Sequence, residues 1–300
     1  MNYITYFAHG DVGYLNECRF SLLKLLHVYN LQPPANTAIL VYTDQPQLFE
    51  SFIPFFSKFV LETINDDIIK SWMNNTGYIH RAKTKMIQHA LQTYGGNVLF
   101  FDTDTYITEP LASIWNDIDQ GTVVFHKSEG VIDSRQNPSF KKWDRFLREA
   151  TIRYGTKAFT YNKAFQVWNS GVLGLSPRYT GVLDDVLLLI DAIQQQFPKH
   201  ITEQVACSYC FAQAATIKSS EATVVHYWNL KEFRHLLDVF FSENGEESIP
   251  NLVKLAAPIN TVTMLEAKKS FKRLPLLQRL FKQITGKGWK IEQYEKRLSS

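Results

Sequence analysis

Asn97-Val98-Leu99-Phe100-Phe101-Asp102-Thr103-Asp104-Thr105-Tyr106-Ile107 is the most informative stretch of the sequence, because a run of apolar residues stops abruptly at two carboxylates. Val98 to Phe101 have the length and the β-preferring composition of a strand that is buried on both faces. In an open α/β sheet, ligands bind at the carboxyl ends of the strands. Asp102 and Asp104 carry oxygen ligands suited to Mg²⁺ or Mn²⁺, so a metal site is predicted here, with helix capping as the simpler alternative.

Strand and helix patterns alternate through the first hundred residues. Short apolar strands are predicted at 4–8, 37–42 and 59–63, and helices with an apolar stripe at 15–29 and 79–94. This alternation predicts a parallel sheet with right-handed crossovers. The expected fold class is therefore α/β, with a mixed, mainly parallel sheet flanked by helices.

Two basic residues precede the acidic stretch on the predicted helix 79–94. Arg81 and Lys85 are four residues apart and share a helix face, which would bring positive charge toward the acidic loop. A divalent cation together with such a basic face suits a diphosphate. Lys83 is predicted to lie on a solvated face of the same helix.

Two later segments add polar groups at strand ends. Asn169-Ser170-Gly171 lies between apolar runs and needs hydrogen-bond partners, for which a sugar hydroxyl and a bulge or turn are the alternatives. A final strand at 222–226 ends in His226, which is a structural histidine or a further metal ligand.

Composition and cysteine usage restrict the class of protein. The segment from residue 266 to the end has ten Lys and Arg against three Glu, a net charge of +7, so the rest of the chain carries about −4. An acidic body without a basic groove argues against nucleic-acid binding.

Three cysteines cannot pair completely, so Cys207 and Cys210 are expected to be buried thiols in a reducing, cytoplasmic compartment. Neither a signal peptide nor a membrane-spanning run is recognised.

The basic segment 268–298 also contains regularly spaced apolar residues. Leu277, Leu280, Phe281 and Ile284 share one face among the cations, which is typical of an amphipathic helix that lies on an anionic membrane. Packing of the same face on the domain is the alternative. With a membrane contact, the protein would be peripheral on the cytoplasmic face of the membrane.

The order of these motifs resembles the nucleotide-sugar-dependent glycosyltransferases of the GT-A fold, and family 8 in particular. Asp102-Thr103-Asp104 has the Asp-x-Asp form, Asn169-Ser170-Gly171 follows some 65 residues later, and the pair Glu203-Gln204 comes about 34 residues after that. His226 and Lys231 complete the series. The resemblance covers roughly residues 1–235.

The resemblance implies a role for each matching residue. Asp102, Asp104 and His226 would bind the metal, and Gln204, Glu203 and Asn169 would lie at the reacting sugar. The nucleotide sugar would be held by Asp11, Tyr14, Arg81, Lys85, Asp102, Gly171 and Lys231. The family's His-x-x-Gly-x-x-Lys-Pro-Trp motif is reduced here to His226-Tyr-Trp-Asn-Leu-Lys231, without the Gly and Pro.

The resulting prediction is a metal-dependent hexosyltransferase that uses Mn²⁺ or Mg²⁺ and a UDP-sugar. Its acceptor would be a glycan or lipid-linked surface polysaccharide. Transfer with retention is expected, whereas inversion would need Glu203 or Asp133 as general base. Residues 1–245 would form the catalytic domain, with a nucleotide-binding half at 1–108 and an acceptor-side half at 109–245, and 246–300 a helical extension. The alternatives are an inactive nucleotide- or glycan-binding protein and a metal-dependent nucleotidyltransferase.

Overall fold

A seven-stranded mixed sheet forms the centre of the protein, in a computed structural model that describes residues 1–132 and 138–297. The strand order is β10-β6-β9-β4-β1-β2-β3, and β5 with β11 and β7 with β8 form two further pairs. The strands are β1 (Asn2–Ala8), β2 (Thr37–Thr43), β3 (Phe59–Thr63), β4 (Asn97–Phe101), β5 (Thr105–Ile107), β6 (Val123–Val131), β7 (Arg153–Tyr154), β8 (Lys157–Ala158), β9 (Gln166–Leu175), β10 (Ile217–Ser219) and β11 (Val224–His226).

Helices cover both faces of this sheet. They are α1 (Val12–Val28), α2 (Asp66–Met73), α3 (Ile79–Tyr94), α4 (Ala112–Asp119), α5 (Pro138–Glu149), α6 (Thr180–Gln196), α7 (Thr202–Ala214), α8 (Phe233–Asn244), α9 (Ile249–Ala256), α10 (Thr261–Arg273) and α11 (Leu276–Ile284). The predicted fold class, a mixed and mainly parallel sheet flanked by helices with a helical C-terminal segment, is confirmed.

Strand direction brings the acidic loop and the Asn-Ser-Gly segment to one edge of the sheet. β1 pairs in parallel with β2 and β4, and β2 in parallel with β3, as the alternating pattern predicts. β9 instead runs antiparallel to β4, with Phe101 opposite Val172. The carboxyl end of β4 therefore lies beside the middle of β9, and the Asp102 amide donates to the Gly171 carbonyl at 2.8 Å.

Two apolar layers enclose the sheet. One lies between the sheet and α1, α4, α8 and α9, and contains Phe20, Phe101 and Phe233. The other lies between the sheet and α3, α6 and α7, and contains Met86, Phe100 and Cys207. Buried aromatic side chains thus fill both layers, which is the source of most of the stabilising apolar burial.

Local sequence signals account for the helix boundaries near the site. The Asp11 carboxylate caps α1 by accepting from the Gly13 amide at 2.8 Å. Gly95, at φ 66°, ends α3 in the left-handed conformation, directly after the predicted helix 79–94. Cys18, Cys207 and Cys210 are buried free thiols, so the expected structural role of the two later cysteines is confirmed.

The C-terminal segment is only partly packed on the body. Ile249, Leu252 and Met264 are buried in the layer that contains α1. Among the residues described, no helix has the length and hydropathy needed to cross a bilayer.

A glycine in β9 tests the packing of α4 on the sheet. A Cβ on Gly174 would lie 2.8 Å from Ile118 Cδ1 and 3.1 Å from Val124 Cβ. Gly174→Ala is therefore expected to lower the free energy of unfolding by about 1–3 kcal/mol, measured by urea denaturation. The matched control is Gly181→Ala in α6, where a Cβ meets no atom within 4 Å and helix propensity should raise stability by up to about 1 kcal/mol. A Gly174→Ala protein as stable as the control would contradict this packing.

Candidate metal centre and its surroundings

The acidic loop is a tight turn between β4 and β5. The Thr105 amide and hydroxyl both donate to the Asp102 carbonyl, at 3.1 and 2.8 Å. The Thr105 hydroxyl bond reinforces the backbone turn, which holds the two acidic residues at fixed spacing. Their side chains remain partly accessible, at 30% for Asp102 and 18% for Asp104. The turn therefore presents both carboxylates at the edge of the sheet.

His226 reaches this turn through strand pairing. β11 runs antiparallel to β5 and places His226 opposite Thr105, next in the chain to Asp104. Its Nε2 lies 3.0 Å from Asp104 Oδ1, and the imidazole is only 4% exposed. One ligand atom from each of Asp102, Asp104 and His226 falls within 4.8 Å of the other two. The structure thus brings the three predicted metal ligands together.

The charges of Asp104 and His226 support each other. Burial alone would raise the pKa of Asp104, but the nearby His226 charge and its hydrogen bond bring that pKa below its usual value. Burial would likewise lower the pKa of His226, and Asp104 raises it above the ordinary value. Asp104 and His226 therefore stabilise each other as an ion pair. A divalent cation bound by both side chains would take the place of the proton on His226 Nε2.

Asn169 orients the imidazole ring of His226 by a hydrogen bond at Nδ1. Its Oδ1 accepts from the Gly171 amide at 3.0 Å, and its Nδ2 donates to Glu129 Oε1 at 2.9 Å. These two bonds orient the Asn169 amide, so that Oδ1 faces His226 Nδ1 at 3.1 Å as an acceptor. Nδ1 must then carry the proton, which leaves Nε2 as the nitrogen available to a metal.

Gly171 is needed because the histidine ring occupies the space of a side chain. A Cβ on Gly171 would lie 2.2 Å from His226 Cε1 and 2.5 Å from Nδ1. Close approach of the ring to the β9 backbone therefore requires glycine at this position. Asn169 and Gly171, which the sequence assigns to the sugar and the nucleotide sugar, both contact His226.

The prediction for the basic residues of α3 is wrong for Lys83. Lys83 is buried, and its Nζ lies 3.3 Å from Glu203 Oε2, 3.6 Å from Asp102 Oδ1 and 3.3 Å from the Ser170 carbonyl. Burial alone would lower the pKa of Lys83, but Asp102 and Glu203 raise it above its usual range. Lys83 is thus a buried cation that contacts Asp102 of the acidic turn.

Arg81 and Lys85 make their polar contacts elsewhere, Arg81 with α6 and α2 and Lys85 within its own helix. Arg81 Nε pairs with Asp191 Oδ1 at 2.6 Å, and Lys85 Nζ donates to Gln88 Oε1 at 2.6 Å. The spacing of four residues correctly predicts that the two share a face, but Lys83 is on the face that meets the sheet. The expectation that Arg81 and Lys85 bring charge to the metal loop is therefore corrected.

Glu203 and Gln204 begin α7 in different surroundings. Glu203 is 2% exposed, accepts from the Ser170 hydroxyl at 2.6 Å and receives the Cys207 thiol at 3.5 Å. Gln204 is half-buried, and its side chain makes no hydrogen bond within the described part of the chain. Glu203 is therefore enclosed by partners, whereas the Gln204 amide is available for a ligand.

The start of α1 is linked to the acidic turn by Glu17 and Arg234, which the sequence analysis missed. Glu17 is buried in α1, accepts from Thr103 Oγ1 at 3.2 Å and pairs with Arg234 Nε at 3.0 Å. Burial and the charge of Asp104 raise the pKa of Glu17 to about 7. The Arg234 guanidinium lies 4.1 Å from the Tyr14 ring centre. A charged residue inside the apolar stripe of α1 was the available signal for Glu17.

The remaining predicted residues lie at the surface around this centre. Asp11 and Tyr14 are exposed at the start of α1, and Lys231 is exposed on the turn that follows β11. Lys231 makes no ion pair with the described residues. Asp133 lies outside the described residues.

Comparisons with known proteins give no match by sequence and several by fold. The sequence matches no protein-family model and no curated protein. Mouse xyloside xylosyltransferase 1 aligns with a TM-score of 0.47 and 10% identity over 73% of this chain and 85% of that protein. The galactosyltransferase LgtC, in complex with donor and acceptor sugar analogues, aligns with a TM-score of 0.48 and 12% identity over 73% and 74% of the two chains.

A third solved structure is the bifunctional glycosyltransferase WbbM, with a TM-score of 0.43 and 8% identity over 72% of this chain but only 38% of WbbM. All three proteins are glycosyltransferases by name, and each aligns with this chain at 12% identity or less.

The contact between Gly171 and His226 can be tested directly. Gly171→Ala should displace the imidazole and weaken Mn²⁺ binding about tenfold or more, the usual scale for loss of support to a metal ligand. Isothermal titration calorimetry with MnCl₂ measures this, with circular dichroism to verify folding. Gly181→Ala is the control and should bind Mn²⁺ as the wild type does. Unchanged affinity in Gly171→Ala would show that His226 is not a ligand.

Proposed function

We propose that this protein is a metal-dependent glycosyltransferase that moves a hexose from a UDP-sugar to a glycan or lipid-linked acceptor of a surface polysaccharide. The observation that carries the proposal is the cluster of Asp102, Asp104 and His226 at the carboxyl edge of the sheet. Two carboxylates and an oriented imidazole suit one divalent cation, and the imidazole favours Mn²⁺ over Mg²⁺. When bound, that cation would neutralise charge on the departing diphosphate.

The donor is proposed to lie between the start of α1 and β9. Asp11 and Tyr14 would contact the nucleotide base, and the exposed Lys231 would meet the diphosphate from the turn after β11. Lys83 would orient Asp102 and Glu203, since it contacts both. Arg81 and Lys85, in contrast, would stabilise the position of α3 and would affect nucleotide binding only through that helix.

Transfer with retention is proposed because of the surroundings of Glu203. An inverting enzyme needs a carboxylate that can take a proton from the acceptor. Lys83 and the Ser170 hydroxyl both bond to Glu203 Oε2, and the residue is almost fully buried. Glu203 is therefore poorly placed as a base, whereas the Gln204 amide can contact the reacting sugar.

The division of the chain follows from this assignment. We propose residues 1–245 as the catalytic part, with the nucleotide at 1–108 and the acceptor at 109–245. Residues 246–300 would be an extension that supports α1 through Ile249 and Leu252.

Loss of one ligand charge tests the enzymatic proposal. Asp104→Asn should cut the rate of UDP-sugar hydrolysis with Mn²⁺ on the order of 10²-fold or more, the scale of losing a key electrostatic group. Asp119→Asn is the control, because Asp119 contacts Asn97 at the opposite end of β4. The measurement is UDP release from a panel of UDP-hexoses.

The outcomes separate the alternatives. A protein that binds nucleotide sugars without turnover would be an inactive binding protein, and release of pyrophosphate would indicate a nucleotidyltransferase. Equal rates for Asp104→Asn and wild type would overturn the role of the metal cluster.

The apolar face of α11 supports a membrane contact. Leu277, Phe281 and Ile284 are 80%, 68% and 86% exposed, so this face does not pack on the body. Arg279 and Lys282 lie on the same short helix. An exposed apolar face flanked by cations suits an anionic bilayer surface, where a lipid-linked acceptor would also lie.

Substitution tests this contact better than truncation does, because Ile291 beyond α11 is buried in the core. A protein with Leu277→Ser, Phe281→Ser and Ile284→Ser should bind vesicles of phosphatidylglycerol and phosphatidylcholine at least tenfold more weakly in sedimentation assays. The control is Leu188→Ser in α6, where the leucine is 44% exposed and has no adjoining basic helix face. Equal binding by the triple variant and the wild type would refute the membrane contact.

A further inference from the structure

A groove of about 540 Å³ lies between β9, α7 and the loop before β9, on the α7 side of the sheet. Its lining residues carry no charged side chain and combine aromatic rings with amides and small groups. They are Thr160, Asn162, Ala164, Phe165, Gln166, Trp168, Tyr209, Ala212, Gln213, Ala215 and Ile217. None of these residues belongs to the metal centre or to its predicted ligands.

The lining has the chemistry that recognises neutral sugars. A pyranose presents an apolar C–H face that packs on aromatic rings, and hydroxyls that need amide or indole partners. Trp168 and Tyr209 are half-buried, with Phe165 at 9% exposure. The Trp168 indole N–H has no hydrogen-bond partner among the described residues, which leaves a donor available in the groove.

The groove is already shaped in this structure. The Tyr209 hydroxyl accepts from the Thr160 amide at 2.9 Å, which ties the loop before β9 to α7. The Tyr209 ring centre also lies 6.0 Å from that of Phe165. The aromatic walls are therefore held in place by one another and by a backbone bond, so a ligand would not need to order them.

The groove and the candidate active site share two elements, β9 and α7. Trp168 and Ser170 are two residues apart on one strand and so point to the same side, about 7 Å apart along the chain. The Ser170 hydroxyl donates to Glu203, and the Trp168 amide donates to the Ser208 hydroxyl, both on α7. The half-buried Gln204 is on the first turn of the same helix. Trp168, which lines the groove, is therefore two residues along β9 from Ser170, whose hydroxyl bonds to Glu203, the neighbour of Gln204 in the chain.

We propose that this groove binds a distal sugar unit of a neutral oligosaccharide acceptor, at a subsite separate from the transfer position. The proposal rests on the function proposed above for the site itself, while the groove can bind a glycan in the absence of donor and metal. An acidic glycan or a phosphorylated lipid headgroup is disfavoured, because the lining offers no cation to either. Recognition here would select acceptors by length, because a monosaccharide at the transfer position cannot also reach the groove.

Two alanines of α7 provide a matched pair of variants. Ala212 and Ala214 are both exposed, but only Ala212 lines the groove. Ala212→Trp should fill the groove without disturbing the core, and Ala214→Trp adds the same side chain outside it. Because both positions are on the surface, the two variants should unfold at temperatures close to that of the wild type.

The experiment measures binding of maltotetraose, cellotetraose and lacto-N-neotetraose by saturation-transfer NMR and calorimetry, without nucleotide sugar or metal. At least one tetrasaccharide should bind the wild type and Ala214→Trp equally and bind Ala212→Trp at least tenfold more weakly. UDP-sugar hydrolysis without acceptor should be the same in all three proteins. Absence of binding by the wild type, or equal binding by Ala212→Trp, would overturn the proposal.

The same measurements separate this inference from the enzymatic proposal. If no UDP-sugar is hydrolysed but Ala212→Trp loses tetrasaccharide binding, the groove stands as a glycan site and the transferase assignment fails. If hydrolysis is present and binding is unaffected by Ala212→Trp, the transferase assignment stands and the groove proposal fails.

Discussion

The pairing of β5 with β11 is the constraint on which the candidate site depends. Three residues of each strand bring His226 to the acidic turn, and the Tyr227 amide closes the pair by donating to the Asp104 carbonyl at 3.0 Å. The contact joins parts of the chain more than a hundred residues apart, so it must offset the entropy of closing a long loop. Packing of Tyr227 against Phe233 and Tyr106 contributes stabilisation that offsets this entropy cost.

Three cations offset part of the charge of the four carboxylates around the acidic turn. Asp102 and Glu203 share Lys83, Asp104 pairs with His226, and Glu17 pairs with Arg234. Breaking a buried ion pair by removing one partner typically costs about 3–5 kcal/mol, because the other charge is left without compensation. These pairs connect α1, α3, α7 and α8 to one turn, so the geometry of the site depends on most of the fold.

The antiparallel direction of β9 gives the sheet edge a second source of polar groups. Asn169, Ser170 and Gly171 occupy the fourth to sixth positions of this strand, and each contacts the acidic turn or one of its partners. A parallel strand would carry the same residues to the opposite edge of the sheet. The same strand then continues into the aromatic groove at Trp168, so one element contributes both to the metal centre and to the proposed glycan subsite.

Patterns within short stretches of sequence were sufficient to predict the parallel order of β1 to β4, the acidic turn and the end of α3 at Gly95, because periodicity and turn chemistry are local properties. The set of Asp102, Asp104 and His226 came from a resemblance in motif order. The packing of α3 on the sheet determines that Lys83, and not Arg81 or Lys85, meets the turn, since residue spacing defines a shared helix face but not which face packs on the sheet. The tertiary structure also determines that Gly171 makes room for His226, because the pairing of distant strands leaves no signal in local sequence.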